Sequence, residues 1–317
     1  MNIIYTVCNR TNLAHALTLA DSVSKFEPNT VFYLCWVDAA PLKELPPHIQ
    51  AIDISRIEIP RWESWVQEYF DFELLAAARP WVAKWLLTLH PDCDLLTFLA
   101  PTVLLYQSIT PVLDQDTDFY LTPNILKPLA KSEVLDDKRI LNVGMFHSGS
   151  WMLKNSQITR KTLDWWSNRT LDRATFDLCN GMNMDQLWMN YIPVWIPKTK
   201  IISNPGWHFG LHAMLNKRFS ENAGTYTVDQ ASLISADFAG LTYFDAVWSN
   251  HQALAGQNPA FQNLLKRYKE SLKSFQNYLP SSELPVYGKL ADIRKYRVLR
   301  NNVAKKLSAV TEYIDQF

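Results

Sequence analysis

Glycine is scarce in this chain, with 9 among 317 residues. So few exclude nucleotide sites built on glycine clusters, and no G-x-G-x-x-G dinucleotide fingerprint occurs. Gly144 to Ser150 reads GMFHSGS, which imitates a P-loop but lacks the lysine that would reach phosphates. Cysteine is also sparse. Cys8, Cys35, Cys93 and Cys179 have no C-x-x-C spacing, which argues against a disulfide framework or a cysteine zinc site and fits reduced thiols in a cytoplasmic protein. Net charge is absent too, at 31 Lys and Arg against 31 Asp and Glu, so a nucleic-acid partner, which needs a basic excess, is not expected. No apolar run reaches the ~18 residues that mark a membrane-spanning helix. The opening MNIIYTVCNR has neither the charged segment nor the long apolar core of a signal peptide. Without secretion, the Asn-Arg-Thr sequons at Asn9 and Asn168 carry little meaning.

What the chain has in surplus is tryptophan, 12 residues within a composition that is 48% hydrophobic and 13% aromatic. Large aromatic side chains dominate burial, so core packing is the plain reading, and platforms for sugar rings are the alternative. The length suits two domains of ~150 residues or one larger α/β domain, and it buries a full core without disulfides or a structural metal. Charge divides along the chain. From residue 261 onward there are 11 Lys and Arg against 5 Asp and Glu. This places a domain over 1–258 and a basic helical extension over 259–317. In the extension, Ile293, Tyr296, Val298, Leu299, Val303 and Leu307 have helical apolar spacing among arginines and lysines. Such a helix either lies on an anionic membrane surface or packs against its own domain.

Residues 3–8 and 31–37 are apolar, β-branched runs that predict buried strands, with a helix from Leu13 to Val23 between them and a short strand at 52–54. Apolar runs without alternation are the mark of a parallel sheet covered on both faces, hence an α/β fold. A helix is expected over 73–90, two strand pieces over 95–106 split by Ala100-Pro101-Thr102, strands at 119–122 and 145–153, and helices over 157–169 and from Ala260. Ligands of such sheets bind beyond the carboxyl ends of strands. That rule selects Thr6 to Asn9, Asp38, Ala100 to Thr102 and the loop before Met145. At a strand end, Asp38 can accept hydrogen bonds from a base or ribose, or be an ordinary turn aspartate.

Several stretches together resemble bacterial nucleotide-sugar glycosyltransferases of the GT-A fold, akin to the family 8 enzymes. They are Glu73-Leu74-Leu75-Ala76-Ala77-Ala78-Arg79-Pro80, Phe98-Leu99-Ala100-Pro101-Thr102-Val103, Phe146-His147-Ser148-Gly149-Ser150-Trp151, Leu163-Asp164-Trp165-Trp166, Asn183-Met184-Asp185-Gln186 and Asn204-Pro205-Gly206-Trp207-His208. Their order and spacing match over roughly residues 1–245. The resemblance implies a Rossmann-related mixed sheet with helices on both faces and a nucleotide-sugar donor, a UDP-sugar first.

The resemblance also implies a metal motif that this chain lacks. The family's Asp-x-Asp falls on Ala100 and Thr102, and the histidine of its later H-F-S-G falls on Asp237 in Asp237-Phe238-Ala239-Gly240. Alanine cannot coordinate, and a hydroxyl is a poor sole ligand for a hard cation that wants several oxygens, so no bound metal is expected. Asp92-Cys93-Asp94 spells the motif but precedes its strand, on the wrong edge of the sheet. Something else must then meet the charge that builds on the leaving diphosphate. Arg79, whose fork can grip phosphate, is favoured over Lys84, His208 and His212, although an ion pair with Glu73 or Asp71 would also explain it. Asp185 and Gln186 match the pair that lines the sugar site and are the expected catalytic residues; the competing role for Asp185 is a helix N-cap.

Thr6, Asn9, Asp38, Arg79, Thr102, Ser148 and Gly149 are expected on the donor. Trp151, Trp207 and His208 are expected against donor sugar or acceptor, while Trp81, Trp85, Trp165 and Trp166 belong to the core. The expected activity is sugar transfer from a nucleotide donor to a glycan or lipid-linked acceptor, without a divalent metal, in the cytoplasm or at the inner membrane through the basic tail. The alternative is a GT-A shell that has lost catalysis and serves as a binding or scaffolding subunit. A metal site rebuilt from Asp237 and Asp38 is the third possibility.

Overall fold

The computed structural model describes residues 1–129, 132, 135–278, 280, 284–290 and 297–314. The first strand, β1 (Asn2–Cys8), is buried from Ile3 onward, and α1 (Leu13–Phe26) follows it. Then come β2 (Thr30–Trp36), β3 (Ile49–Asp53), α2 (Trp62–Glu68) and α3 (Asp71–Leu89). Next are β4 (Leu95–Leu99), β5 (Val103–Leu105), β6 (Phe119–Pro123), α4 (Asp137–Val143), β7 (Phe146–Lys154) and α5 (Gln157–Thr170). A two-residue pair, β8 (Phe176–Asp177) and β9 (Met182–Asn183), leads through α6 (Ile192–Trp195) to β10 (Thr199–Ile201). A small meander of β11 (Phe219–Asn222), β12 (Thr225–Val228) and β13 (Ala231–Ser232) precedes β14 (Ser235–Asp237), α7 (Pro259–Lys273) and α8 (Arg297–Ile314).

The main sheet has seven strands in the order β10-β6-β7-β4-β1-β2-β3. β4, β1, β2 and β3 run parallel, whereas β7 is antiparallel to both β4 and β6, so the sheet is mixed. The chain leaves β1 toward β2 on one side and enters β4 on the other. A crevice therefore opens beyond their carboxyl ends, where ligands of open α/β sheets bind. β5 leaves this sheet and pairs antiparallel with β14, setting Asp237 opposite Val103 and beside Thr102. The Asp92-Cys93-Asp94 turn sits at the opposite edge, where the Asp92 carbonyl accepts from the Met1 amine at 3.0 Å.

Two apolar cores result. The larger encloses the main sheet, and the second gathers Phe209, Phe219, Phe238, Phe261, Leu264 and Tyr268. The expected boundary at 259 is not a boundary in packing. α7 presents Phe261, Leu264 and Tyr268 on one face, and Tyr268 stacks on Phe238 at 3.9 Å between centroids, so α7 belongs to the folded body. α8 differs, because Leu299, Val303, Leu307, Val310, Tyr313 and Ile314 are exposed along it instead of packing on the domain. Of the tail residues named from sequence, Ile293 and Tyr296 lie outside the described residues. Among the described residues, no helix is long and apolar enough to cross a membrane.

Candidate functional site

The crevice beyond β1 and β4 is lined by Asn12, Arg79, Ala100 to Thr102, His147 to Gly149, Met184, Gln186, Asp237 and the segment from Tyr243 to Trp248. α3 carries Arg79 to its wall. Arg79 Nη1 donates to Ser148 Oγ at 2.9 Å and to both oxygens of Asp185 at 3.1 and 3.3 Å, with its guanidinium 5.1 Å from the Phe98 ring centroid. The Ser148 N–H donates to Gln186 Oε1 at 3.0 Å, and Gln186 Nε2 donates to the Val143 carbonyl at 2.8 Å. Met184, just before Asp185, is in the left-handed region at φ 49°, a costly conformation for a non-glycine that clusters at functional sites. Four of the six matched stretches, those holding Arg79, Ala100 to Thr102, Ser148 and Gln186, thus meet at this cleft, while Leu163 to Trp166 and Asn204 to His208 lie outside its lining.

Within that wall the structure redistributes the roles. Asp185 is fully buried behind Arg79 and does not line the cleft, contrary to its expected contact with sugar hydroxyls. Burial pushes its carboxyl up from the usual range, against the pull of Arg79 and Ser148. The N-cap role is not realised either, since its side chain makes no capping bond. Nor does Arg79 pair with Glu73, whose carboxylate accepts from the Phe70 and Phe176 amides. Lys84 pairs with Asp164 at the surface.

Other donor-side expectations also move. Asp38 is buried and gripped by Arg10, Nε to Oδ2 and Nη2 to Oδ1 both at 2.6 Å, so its carboxylate is not free for a ribose. Burial pushes Asp38 up, but the Arg10 bonds outweigh it and hold the carboxyl below its ordinary value. Thr6 is buried in the sheet and outside the lining. Asn9 Oδ1 is occupied by the amide and hydroxyl of Thr11, and Asn12 takes its place facing the cleft. Thr102, Ser148 and Gly149 line the cleft.

The tryptophans are corrected most firmly. Trp151 is 0% exposed, packed on Tyr5, Phe98, Phe119 and Trp166, and no sugar can reach it. Trp207 is also buried, with Nε1 donating to Thr122 Oγ1 at 2.8 Å. Trp81 and Trp166 are core as expected, while Trp85 and Trp165 are only partly buried against it. Among the tryptophans of the described residues, the one that lines the cleft is Trp248, beside Phe72, Tyr243 and Phe244; it lies nearly parallel to His147 at 6.3 Å between centroids. Sequence reasoning missed it, although Tyr243-Phe244-Asp245-Ala246-Val247-Trp248, an aromatic run with an acid at its centre, follows the Asp237 motif directly. The cleft's free volume is about 80 Å³. Small-molecule pockets run ~300–1,000 Å³, so the cleft as it stands is smaller than the usual small-molecule site.

A hard divalent ion held as in the resembling family does not fit. Ala100 has no donor atom, and the Thr102 hydroxyl is committed to Asp237 Oδ1 at 2.7 Å. One carboxylate remains where such an ion wants six or more oxygens. The structure adds a group absent from the motif comparison: His147, His208 and Asp237 offer ligand atoms within 4.8 Å of one another, all buried. His208, expected against a sugar, is 0% exposed and faces this group.

No family model matches the chain. An uncharacterised protein of Bacillus subtilis (strain 168), YfnF, is 20% identical over 248 residues, covering 74% of this chain and 80% of that protein. Among solved structures, the galactosyltransferase LgtC in complex with donor and acceptor sugar analogs superposes with a TM-score of 0.50 at 14% identity, covering 89% of this chain and 97% of that one. A glycosyltransferase involved in glycosylation of the major capsid of PBCV-1 reaches a TM-score of 0.45 at 9% identity, covering 80% and 99%, which is too low to support an inference. The fold is therefore α/β and GT-A-like, with a seven-stranded mixed sheet.

Proposed function

We propose that this protein is a glycosyltransferase that moves a sugar from a nucleotide-sugar donor, a UDP-sugar first, to a glycan or lipid-linked acceptor. The observation that carries this reading is the Arg79–Ser148–Gln186 wall facing Thr102 at the carboxyl ends of the strands. Arg79 spends Nη1 on Asp185 and Ser148, and no bond is made by its Nη2 to either. A guanidinium in the lining with its second nitrogen not spent on that pair suits a phosphate oxygen, and the buried Asp185 keeps it from swinging away. Asn12 and Asp245 are polar groups of the lining placed to meet sugar hydroxyls, with Gln186 holding the Ser148 amide and Trp248 as the apolar platform. Arg79 supplies the countercharge to the leaving diphosphate, and the family's Asp-x-Asp metal has no part in this reading. The protein works in the cytoplasm, with peripheral contact to the inner membrane through the basic tail.

One observation favours the second reading, a non-catalytic binding or scaffolding subunit: Asp185 is consumed by an internal ion pair and lies outside the cleft. A panel of nucleotide sugars incubated with the chain, in EDTA and in parallel with added divalent metal, separates the two. Turnover to free nucleotide that Gln186→Ala and Arg79→Ala each depress supports the transferase. Nucleotide binding without turnover for any donor, with or without added acceptor, supports the subunit.

A further inference from the structure

We infer that His147, His208 and Asp237 form a binding site for one transition-metal ion of the zinc type, replacing the hard-ion site that Ala100 and Thr102 cannot build. His208 is 0% exposed, and neither ring nitrogen has a hydrogen-bond partner; Nε2 of His147, also buried, has none. Buried polar nitrogens are almost always satisfied, so the two Nε2 atoms side by side signal a missing partner. Both Nε2 atoms face the same oxygen, Asp237 Oδ2, at 3.5 Å from His147 and 3.6 Å from His208. These gaps are long for hydrogen bonds. They match the ~3.4 Å edge of a tetrahedron whose ligands lie ~2.0–2.1 Å from a central zinc.

The carboxylate is held for this use. Its other oxygen, Oδ1, accepts from the Thr102 hydroxyl at 2.7 Å and the Ala239 amide at 3.0 Å, which turns Oδ2 toward the imidazoles. Such outer hydrogen bonds orient the ligands of known metal sites. His147 is the ligand that binds at a cost. The Gly149 amide donates to its Nδ1 at 2.9 Å, so Nε2 carries the ring proton; that proton must shift to Nδ1, breaking the Gly149 bond, before Nε2 can take the ion. Two imidazoles and one carboxylate suit a borderline ion and not Mg²⁺.

Charge supplies an independent argument. Among the described residues, Arg79 is the only Lys or Arg lining the cleft, and it is already paired with Asp185, whereas Asp237 and Asp245 are both acids of the lining. A buried carboxylate needs a cation beside it, and a diphosphate entering this cleft needs another. Thr102, His147 and Asp237 line the cleft, so an ion there is reached from it and keeps a ligand position toward it.

The test uses the full chain, free of any affinity tag and stripped with a chelator that is then dialysed away. Zn²⁺ is titrated by calorimetry, and Co²⁺ by its visible absorption, in the absence of any sugar donor. One ion per chain is expected, with a four-coordinate cobalt spectrum and no competition from about a 100-fold excess of Mg²⁺. Asp237→Asn and His208→Gln should abolish stoichiometric binding, His147→Gln should weaken it about tenfold or more, and the surface change His48→Ala should leave it intact. Thermal unfolding checks each variant. Should His208→Gln fail to fold, Asp237→Asn and His147→Gln decide the matter. Absence of stoichiometric binding, binding unaffected by Asp237→Asn, or equal competition by Mg²⁺ would overturn the inference. The readout is bound metal alone, so it stands apart from whether the chain transfers sugar.

Discussion

Asp185 and Arg79 show how one contact decides between roles that sequence leaves open. The motif Asn183-Met184-Asp185-Gln186 brought the right segment to the cleft, yet the adjacent acid and amide face different ways. Gln186 lines the cleft and Asp185 lies behind Arg79. Removing one member of a buried ion pair leaves the other uncompensated, at a cost of about 3–5 kcal/mol. Asp185→Ala should therefore lower unfolding stability by about 3 kcal/mol in urea titrations, discounted because Arg79 keeps some solvent contact. A change below about 0.5 kcal/mol, the range of an ordinary surface substitution, would show that the pair holds nothing in place. Trp151 was misread for a different reason. β7 is buried along nearly its whole length, so its sequence has no alternation to reveal which face each side chain takes. The Thr102–Asp237 bond was equally hidden, because it joins residues 135 apart through the β5–β14 pairing.

At the scale of elements, the longer strands and helices up to α5 were legible to within a few residues, because apolar runs and helical spacing are local signals. α2, α4, the first half of β3 and the meander β11–β13 were not, since short elements held by tertiary contacts have weak periodicity. The docking of α7 onto α1 makes a pH-dependent prediction. His15 Nδ1 lies 2.7 Å from the Tyr268 hydroxyl, and burial lowers the His15 pKa to about 4. An unfolded His15 with its ordinary value near ~6.5 takes up the proton first. Its contribution to stability is thus complete above ~6.5 and is lost as pH falls toward about 4, by roughly 3 kcal/mol in all. Urea titrations across this window should show a shallower slope for His15→Gln than for the parent chain; identical slopes would contradict the burial argument.

A second element-scale prediction concerns the segment over the cleft. Gly240 has φ 77°, and a Cβ there would lie 2.6 Å from the Trp248 carbonyl carbon, whereas a Cβ on Gly256 meets nothing nearer than 3.8 Å. Gly240→Ala should cost about 1–3 kcal/mol in thermal unfolding. Gly256→Ala should be close to neutral, and equal effects of the two would mean that Gly240 is not the fixed corner of this segment.

For the whole molecule, neutrality of charge hid a division that the structure makes concrete. The apolar residues Leu299, Val303, Leu307 and Val310 of α8 are exposed among the described residues, and lysines and arginines punctuate the same helix in sequence. Exposed apolar stripes with basic flanks bind anionic bilayers. Flotation with phosphatidylserine vesicles should be lost on truncation after residue 296 and reduced by salt, because surface charge is screened. Flotation unchanged by truncation would dispose of the tail's membrane role. The central claim, a donor nucleotide held by Arg79 in the cleft beyond β1 and β4, is tested most directly by calorimetric titration of UDP into the parent chain and Arg79→Ala. The account predicts stoichiometric binding that weakens about 10²-fold in the variant, the scale of one lost charged donor. Binding absent from the parent chain at millimolar UDP, or equally tight in Arg79→Ala, would contradict it.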